Sequence, residues 1–178
     1  MSSSPSVEEL LKRNAKRVET FEPFLSLSEI YSLPPEWSLP MPKIFIDPWD
    51  ILGLSKWDAV VTRGAAGRMA SQFNNLLFLD HVLNFTDIMI MHHTDCSAEF
   101  FSNADVCQGI AHRAPDAKES VASLKLPGFE DLERSVQEDV QLVKNSPLIR
   151  KELADRTRGF IYDLTTGEVK RVPESSPA

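Results

Sequence analysis

The sequence predicts an α/β fold: a mostly parallel central β-sheet flanked by helices, with an amphipathic helix at the N-terminus. Three observations carry this. Short apolar runs at 43–46, 58–62, 88–91 and 159–164 alternate with helical stretches, the pattern of strands covered by helices. Gly-containing turns and an Asp-Pro step punctuate the connections between them. At 178 residues and 42% hydrophobic content, the chain is long enough to bury one substantial core.

The elements follow in order. Residues 7–21 place Val7, Leu10, Leu11, Val18 and Phe21 near helical spacing, with Glu8 and Glu9 at the positive end of the helix dipole. Ser6 and Glu9 make a capping-box pair. This helix is too short to hide its own apolar face, so it must lie on the body of the protein or on a partner. Residues 24–42 hold Pro34, Pro35, Pro40 and Pro42, which exclude a helix or central strand and mark a connector. Residues 43–46 read as a clipped strand stopped by Asp47-Pro48, and 49–54 as one helical turn ending at Gly53. Residues 58–62 read as a second strand.

Arg63-Gly64-Ala65-Ala66-Gly67-Arg68 is a turn of small residues, which lets backbone approach another backbone or an anion closely. A tight strand-to-helix turn is the plainer reading and a phosphate cradle the sharper one. Residues 71–84 form a helix that is apolar nearly all round, to be buried in this chain or at a subunit interface. Residues 98–114 are mostly helical, and 115–129 are loop with a short helix. Residues 129–144 are an amphipathic helix on Leu132, Val136, Val140 and Val143, and 147–153 add a turn or two. Residues 159–164 and 168–172 flank Thr165-Thr166-Gly167 as strand, turn and second short strand. The expected division is a disordered 1–6, a single domain at 7–172 and a disordered tail at 173–178.

The formal net charge of −7 opposes nucleic-acid binding, which needs clustered Lys and Arg. No 18-residue apolar run is present, so no membrane span or membrane partner is expected. The first residues lack the apolar core of a signal peptide. Cys96 and Cys107 are too few for a disulfide framework, and Cys96 lies close to histidine. They read as a ligand or free thiols in a reducing compartment, with the cytoplasm as the expected location.

The chemistry concentrates where the run Ile88-Met89-Ile90-Met91 ends in His92-His93-Thr94-Asp95-Cys96. His93 and Cys96, spaced H-x-x-C, can reach one ion from a tight turn after a strand. That turn stands at the carboxyl end of a strand, where open α/β sheets carry their sites. A zinc site wants four ligands, and this turn supplies two.

The motifs together resemble the β-class carbonic anhydrases. Arg63-Gly64-Ala65-Ala66-Gly67-Arg68 is similar to the family's R-N-A-G-G-R turn, and His93-Thr94-Asp95-Cys96 to its H-T-D-C zinc turn. Asp47-Pro48, Leu52-Gly53-Leu54 and Asp58-Ala59-Val60-Val61 resemble its D-P…L-G-L…D-A-V-V segment. Ser146-Pro147-Leu148 and Gly159-Phe160-Ile161-Tyr162-Asp163 resemble its C-terminal part. The resemblance spans roughly residues 7–172 and is to the short single-domain members of bacteria and fungi.

The resemblance implies a zinc enzyme. In that family two Cys and one His hold Zn²⁺, and water or an aspartate takes the fourth position. The metal lowers the pKa of its water for attack on CO₂ to give bicarbonate. His93 and Cys96 fall on the second and third ligands, with Asp95 in the turn. The resemblance also implies CO₂/bicarbonate as the substrate pair and a homodimer whose N-terminal helix reaches over the partner.

One motif departs. The family's first ligand lies in a C-x-D-x-R motif just before the Asp-Pro, and it is absent here. Without a gap, Met41, Lys43 and Phe45 stand in the Cys, Asp and Arg places. With a gap, 43–46 is the first strand itself and about eight residues carrying the motif are missing before Asp47; the strand character of 43–46 and the prolines at its start favour this. Ser97 stands where the family commonly has Gly. Asp47 is the first substitute ligand or catalytic group to consider, ahead of His92 and Cys107. His92 points opposite to His93 on a strand, and Cys107 reads as a small buried hydrophobe. His81 and His112 read as surface or packing residues in helices. Three accounts follow. One is a zinc lyase, acting on CO₂ or a relative such as COS or CS₂ and impaired by the loss. Another is a non-catalytic homologue serving as scaffold or partner-binding protein. The third is a deduced sequence that has lost an exon edge between Pro42 and Pro48.

Overall fold

Ser6 starts the first helix, α1 (Val7–Val18), by accepting from the Glu9 N–H at 3.2 Å. In this computed structural model, which describes residues 4–32 and 46–174, α1 lies on the body of its own chain. Leu10 packs with Ile51, Leu52, Tyr162 and Leu164. Asn14, 4% exposed, donates to the carbonyls of Ile51 (3.2 Å) and Gly167 (2.9 Å), and its Oδ1 accepts from Val169 N–H at 2.9 Å. The one buried polar side chain of this helix is thus satisfied within its own chain. Asn14→Ala strands three backbone groups, and a loss of about 2 kcal/mol in urea unfolding is expected.

A second helix, α2 (Leu27–Ser32), forms inside the stretch expected to be a plain connector. Ser26 N–H donates to Glu29 Oε2 at 2.7 Å while Glu29 N–H donates to Ser26 Oγ at 3.2 Å, a reciprocal cap. The prolines begin only at Pro34, so they do not oppose it. Residues 43–45 of the expected first strand lie outside the described residues; Ile46 packs beside Leu10, Ile51 and Tyr162.

Asp47 caps α3 (Pro48–Ile51) by accepting from Trp49 N–H at 3.1 Å. The turn closes at Gly53 with φ +54°. The expected strand at 58–62 does not form, because no described strand pairs with it. Instead Asp58 is held by Arg13 at 2.7 Å and Ser55 N–H at 2.8 Å. Two 3₁₀ turns (Ala65–Gly67 and Met69–Ser71) lead into α4 (Phe73–Leu83). α4 buries none of its residues: Phe78, Val82 and Leu83 are 71%, 61% and 51% exposed. Phe73, Leu76 and Leu77 pack against the core, whereas the face of Phe78, Val82 and Leu83 is left uncovered by the described residues.

The sheet is ordered β1 (Ile88–His93), β2 (Thr157–Tyr162), β3 (Val169–Arg171). β1 and β2 run parallel with Ile88 opposite Thr157 and His93 opposite Tyr162, and β2 and β3 are antiparallel. Between β1 and β2 lie α5 (Ser97–Phe100), α6 (Asn103–Arg113), α7 (Lys118–Ala122), α8 (Leu132–Lys144) and α9 (Lys151–Asp155). The mostly helical stretch expected at 98–114 divides at Ser102, which forms a capping box with Asp105 and starts α6 afresh.

The period of two in β1 sorts its residues between two layers. Ile88 and Ile90 meet Val136, Val140 and Val143 of α8, with Leu153 and Ala154 of α9. Met89 and Met91 join the layer of Leu10, Ile51 and Tyr162 on the opposite face. A Cβ at Gly159 would come within 2.4 Å of Val136 Cγ1, so α8 sits this close to β2 only because that side chain is absent. Among the described residues, no helix is long and apolar enough to cross a membrane.

Candidate metal centre

The end of β1 is pinned from both sides. Thr94 N–H donates to Tyr162 O at 3.0 Å, and Thr94 Oγ1 accepts from Leu164 N–H at 3.0 Å. Asp95 takes φ +55°, and its Oδ2 accepts from Leu27 N–H. Asp95 is therefore a structural corner that joins the turn to α2. Cys96 follows as the residue that starts α5.

His93 Nδ1 lies 2.8 Å from Thr94 O. A carbonyl only accepts, so Nδ1 carries the proton and Nε2 keeps its lone pair, the tautomer a metal ligand needs. Burial lowers the His93 pKa, with its bond to Thr94 opposing and the neighbouring His92 adding to the effect. The balance favours the neutral ring. Cys96 is 6% exposed. Burial pushes its thiol pKa up; the Ala98 backbone N–H opposes, and Glu99 and Asp95 add to the rise. A cation bound there would have to displace the thiol proton.

His92, 2% exposed, points the other way and is fully committed. Its Nε2–H donates to Asp139 Oδ2 at 3.1 Å, and its Nδ1 meets Ser135 Oγ at 2.8 Å. Its ring stacks on Phe129 with centroids 6.0 Å apart. The same Asp139 oxygen accepts from Met69 N–H at 3.1 Å and pairs with Arg68 Nε at 3.3 Å. A Cβ on Gly67 would meet His92 Cδ2 at 2.6 Å and Met91 O at 3.1 Å. The small-residue turn is thus a close backbone-to-strand contact, with Ala66 (φ +58°) and Gly67 (φ +69°) both left-handed. Ser135 and Asp139 were not readable as site residues. Their signal was faint: an i, i+4 polar pair set within the apolar stripe of α8.

Asp47 is engaged elsewhere, capping α3 and meeting Arg63 at 3.3 Å. Cys107 is half-buried on α6, and His81 and His112 are exposed on α4 and α6. Among the described residues, no three His, Cys, Asp or Glu side chains gather as a metal site. The donor chemistry of His93 and Cys96 suits zinc, but two side chains do not complete the set a catalytic zinc takes.

No family model matches the chain. A curated β-carbonic anhydrase 1 of Mycobacterium tuberculosis (strain ATCC 25618 / H37Rv) is 24% identical over 129 residues, which are 71% of this chain and 75% of that protein. Among solved structures, a carbonic anhydrase from Glaciozyma antarctica superposes with a TM-score of 0.68 at 26% identity, covering 82% of this chain and 92% of that one. A carbonic anhydrase from Streptococcus mutans gives 0.64 at 35% identity, covering 72% and 75%.

Proposed function

This chain belongs to the β-class carbonic anhydrase family, and from that premise we propose that it is a carbonic-anhydrase-like protein with an impaired family reaction, the reversible hydration of CO₂ to bicarbonate. The observation that carries the proposal is a half-complete donor set. His93 Nε2 keeps its lone pair free and Cys96 lies three residues on, yet among the described residues no third ligand joins them. The whole sequence has two cysteines, and Cys107 stands on a helix rather than at the opposing strand end. Zinc would supply a Lewis acid when bound, and this chain offers it two anchors. The Asp–Arg pair of the missing motif is lost with the first cysteine.

Zinc content and CO₂ hydration in a stopped-flow indicator assay test this. The expected outcome is well under one equivalent of zinc per chain and hydration far below the 10⁶ s⁻¹ scale of efficient carbonic anhydrases, about 10²-fold or more. A full equivalent of zinc with rapid hydration would overturn the proposal. A folded, metal-free and inert protein favours the second reading, a non-catalytic homologue that serves as scaffold. The engagement of Asp47 by α3 and Arg63 supports that reading, since it leaves the first substitute ligand occupied. Sequencing the transcript between Pro42 and Pro48 tests the lost exon edge.

We place the protein in the cytoplasm as a homodimer. The uncovered face of α4 at Phe78, Val82 and Leu83 supports a subunit contact there; light scattering reporting a monomer would refute it.

A further inference from the structure

A cleft of about 260 Å³ opens between the end of α1, the 20–24 turn, α3 and the end of β2. Phe21, Phe24 and Tyr162 form its aromatic side. Phe21 and Phe24 ring centroids are 5.9 Å apart, and Phe21 meets Tyr162 edge-on at 6.3 Å. Glu22, Asp47 and Asp50 bring carboxylates to it, against the single cation Arg17. Arg17 is spent on Asp50, at 2.8 Å, and Asp47 meets Arg63. Glu22 has no ion-pair partner among the described residues. The cleft therefore combines ring surface with uncompensated negative charge.

Tyr162 gives an independent pointer. The residue is 3% exposed, yet among the described residues its hydroxyl has no hydrogen-bond partner. Among the described residues no wholly enclosed side-chain polar atom lacks a partner, so the hydroxyl reaches the open space of the cleft it lines. Burial is the main influence on that hydroxyl, followed by the charges of Asp50 and Arg17, both cleft residues. The hydroxyl of an otherwise buried ring, open to the cleft, is a hydrogen-bonding group available to a molecule that enters it.

We propose that this cleft binds a small primary ammonium compound. The ammonium sits among the rings and donates to the Tyr162 oxygen and to Glu22, while its short alkyl group lies on Phe21 and Phe24. Rings favour a cation over their faces, and the carboxylates exclude an anion of equal size. Tyr162 is the register partner of His93 and projects with Met89 and Met91 into one layer, so the ligand would lie on the sheet face next to the metal turn. The proposal does not depend on whether a metal is held.

The test is a titration of the ¹⁵N-labelled full chain with n-butylammonium, n-butyrate and n-butanol, followed by amide shifts. n-Butylammonium should saturate with a dissociation constant on the order of 1 mM, suitable for so small a ligand. Butyrate and butanol should bind at least about tenfold more weakly, and the moving amides should belong to 17–24, 47–51 and 162–164. Tyr162→Phe and Glu22→Gln should each weaken n-butylammonium binding about three- to tenfold, in proteins whose remaining spectra match the parent. Glu22 is exposed, so that variant tests the site without risk to the fold. Equal or tighter binding of butyrate, equal binding of butanol, absence of saturation, or a Glu22→Gln variant that binds like the parent would overturn the proposal.

Discussion

Asp139→Ala should destabilise the protein by about 3–5 kcal/mol, read as a lowered urea midpoint with an unchanged slope. One carboxylate oxygen, 1% exposed at the residue level, serves three groups from two segments: His92 on β1, and Arg68 and Met69 at the end of the small-residue turn. Alanine leaves a buried imidazole N–H and a backbone N–H unpartnered and removes the counter-charge of a guanidinium. The uncompensated polar groups, more than the lost attraction, set the size of the effect. Asp139→Asn keeps an acceptor and the shape but loses the charge, so it should lie between parent and alanine. Glu138 is the internal control. It meets the same Arg68 at 3.2 Å but is half exposed, and Glu138→Ala should change stability by no more than about 1 kcal/mol. Equal losses from Asp139→Ala and Glu138→Ala would show that the buried network does not hold the turn against β1. Faster amide exchange at 64–69 in Asp139→Ala alone is the matching local signature.

The same network shows what the sequence could and could not disclose. β1, α8 and the final hairpin were legible because their periods, two and 3.6, are local properties of apolar spacing. The candidate metal turn could be named from sequence because its residue types sit within four positions. The partner of His92 was not, because Asp139 lies 47 residues away and nothing local joins them. At 58–62, β-branched residues favoured a strand, but a strand also needs a neighbour, and Asp58 is instead drawn to Arg13 and Ser55. α2 was readable in principle: Ser26 and Glu29 are a capping pair, and the proline-based exclusion was carried too far upstream of Pro34. In α4, apolar residues on all sides signalled burial without saying what does the covering. The candidate donor turn was readable from its residue types, while the bond of His93 Nδ1 to Thr94 O and the pairing of His93 with Tyr162 on the neighbouring strand are visible only in three dimensions.

Phe160→Ala is the second variant expected to cost about 3–5 kcal/mol, and its cause differs. Phe160 is wholly buried in the middle of the central strand, opposite Met91 on β1 and Arg171 on β3. Alternation along β2 turns Gly159 towards Val136 of α8 and the Phe160 ring to the opposite face of the sheet. Removing the ring opens a cavity that rigid strands on both sides cannot collapse, so the transfer and cavity contributions add. Phe160→Leu retains most of the volume and should cost about 1.5 kcal/mol or less. That contrast separates packing from polar satisfaction: filling the Phe160 cavity restores most of the stability, whereas no apolar residue at 139 restores the partners of His92 and Met69. If Phe160→Leu proved as damaging as Phe160→Ala, the ring would be making a specific contact rather than filling space. If Phe160→Ala cost under about 1 kcal/mol, the surroundings of that ring would have to be loosely packed, against its 0% exposure.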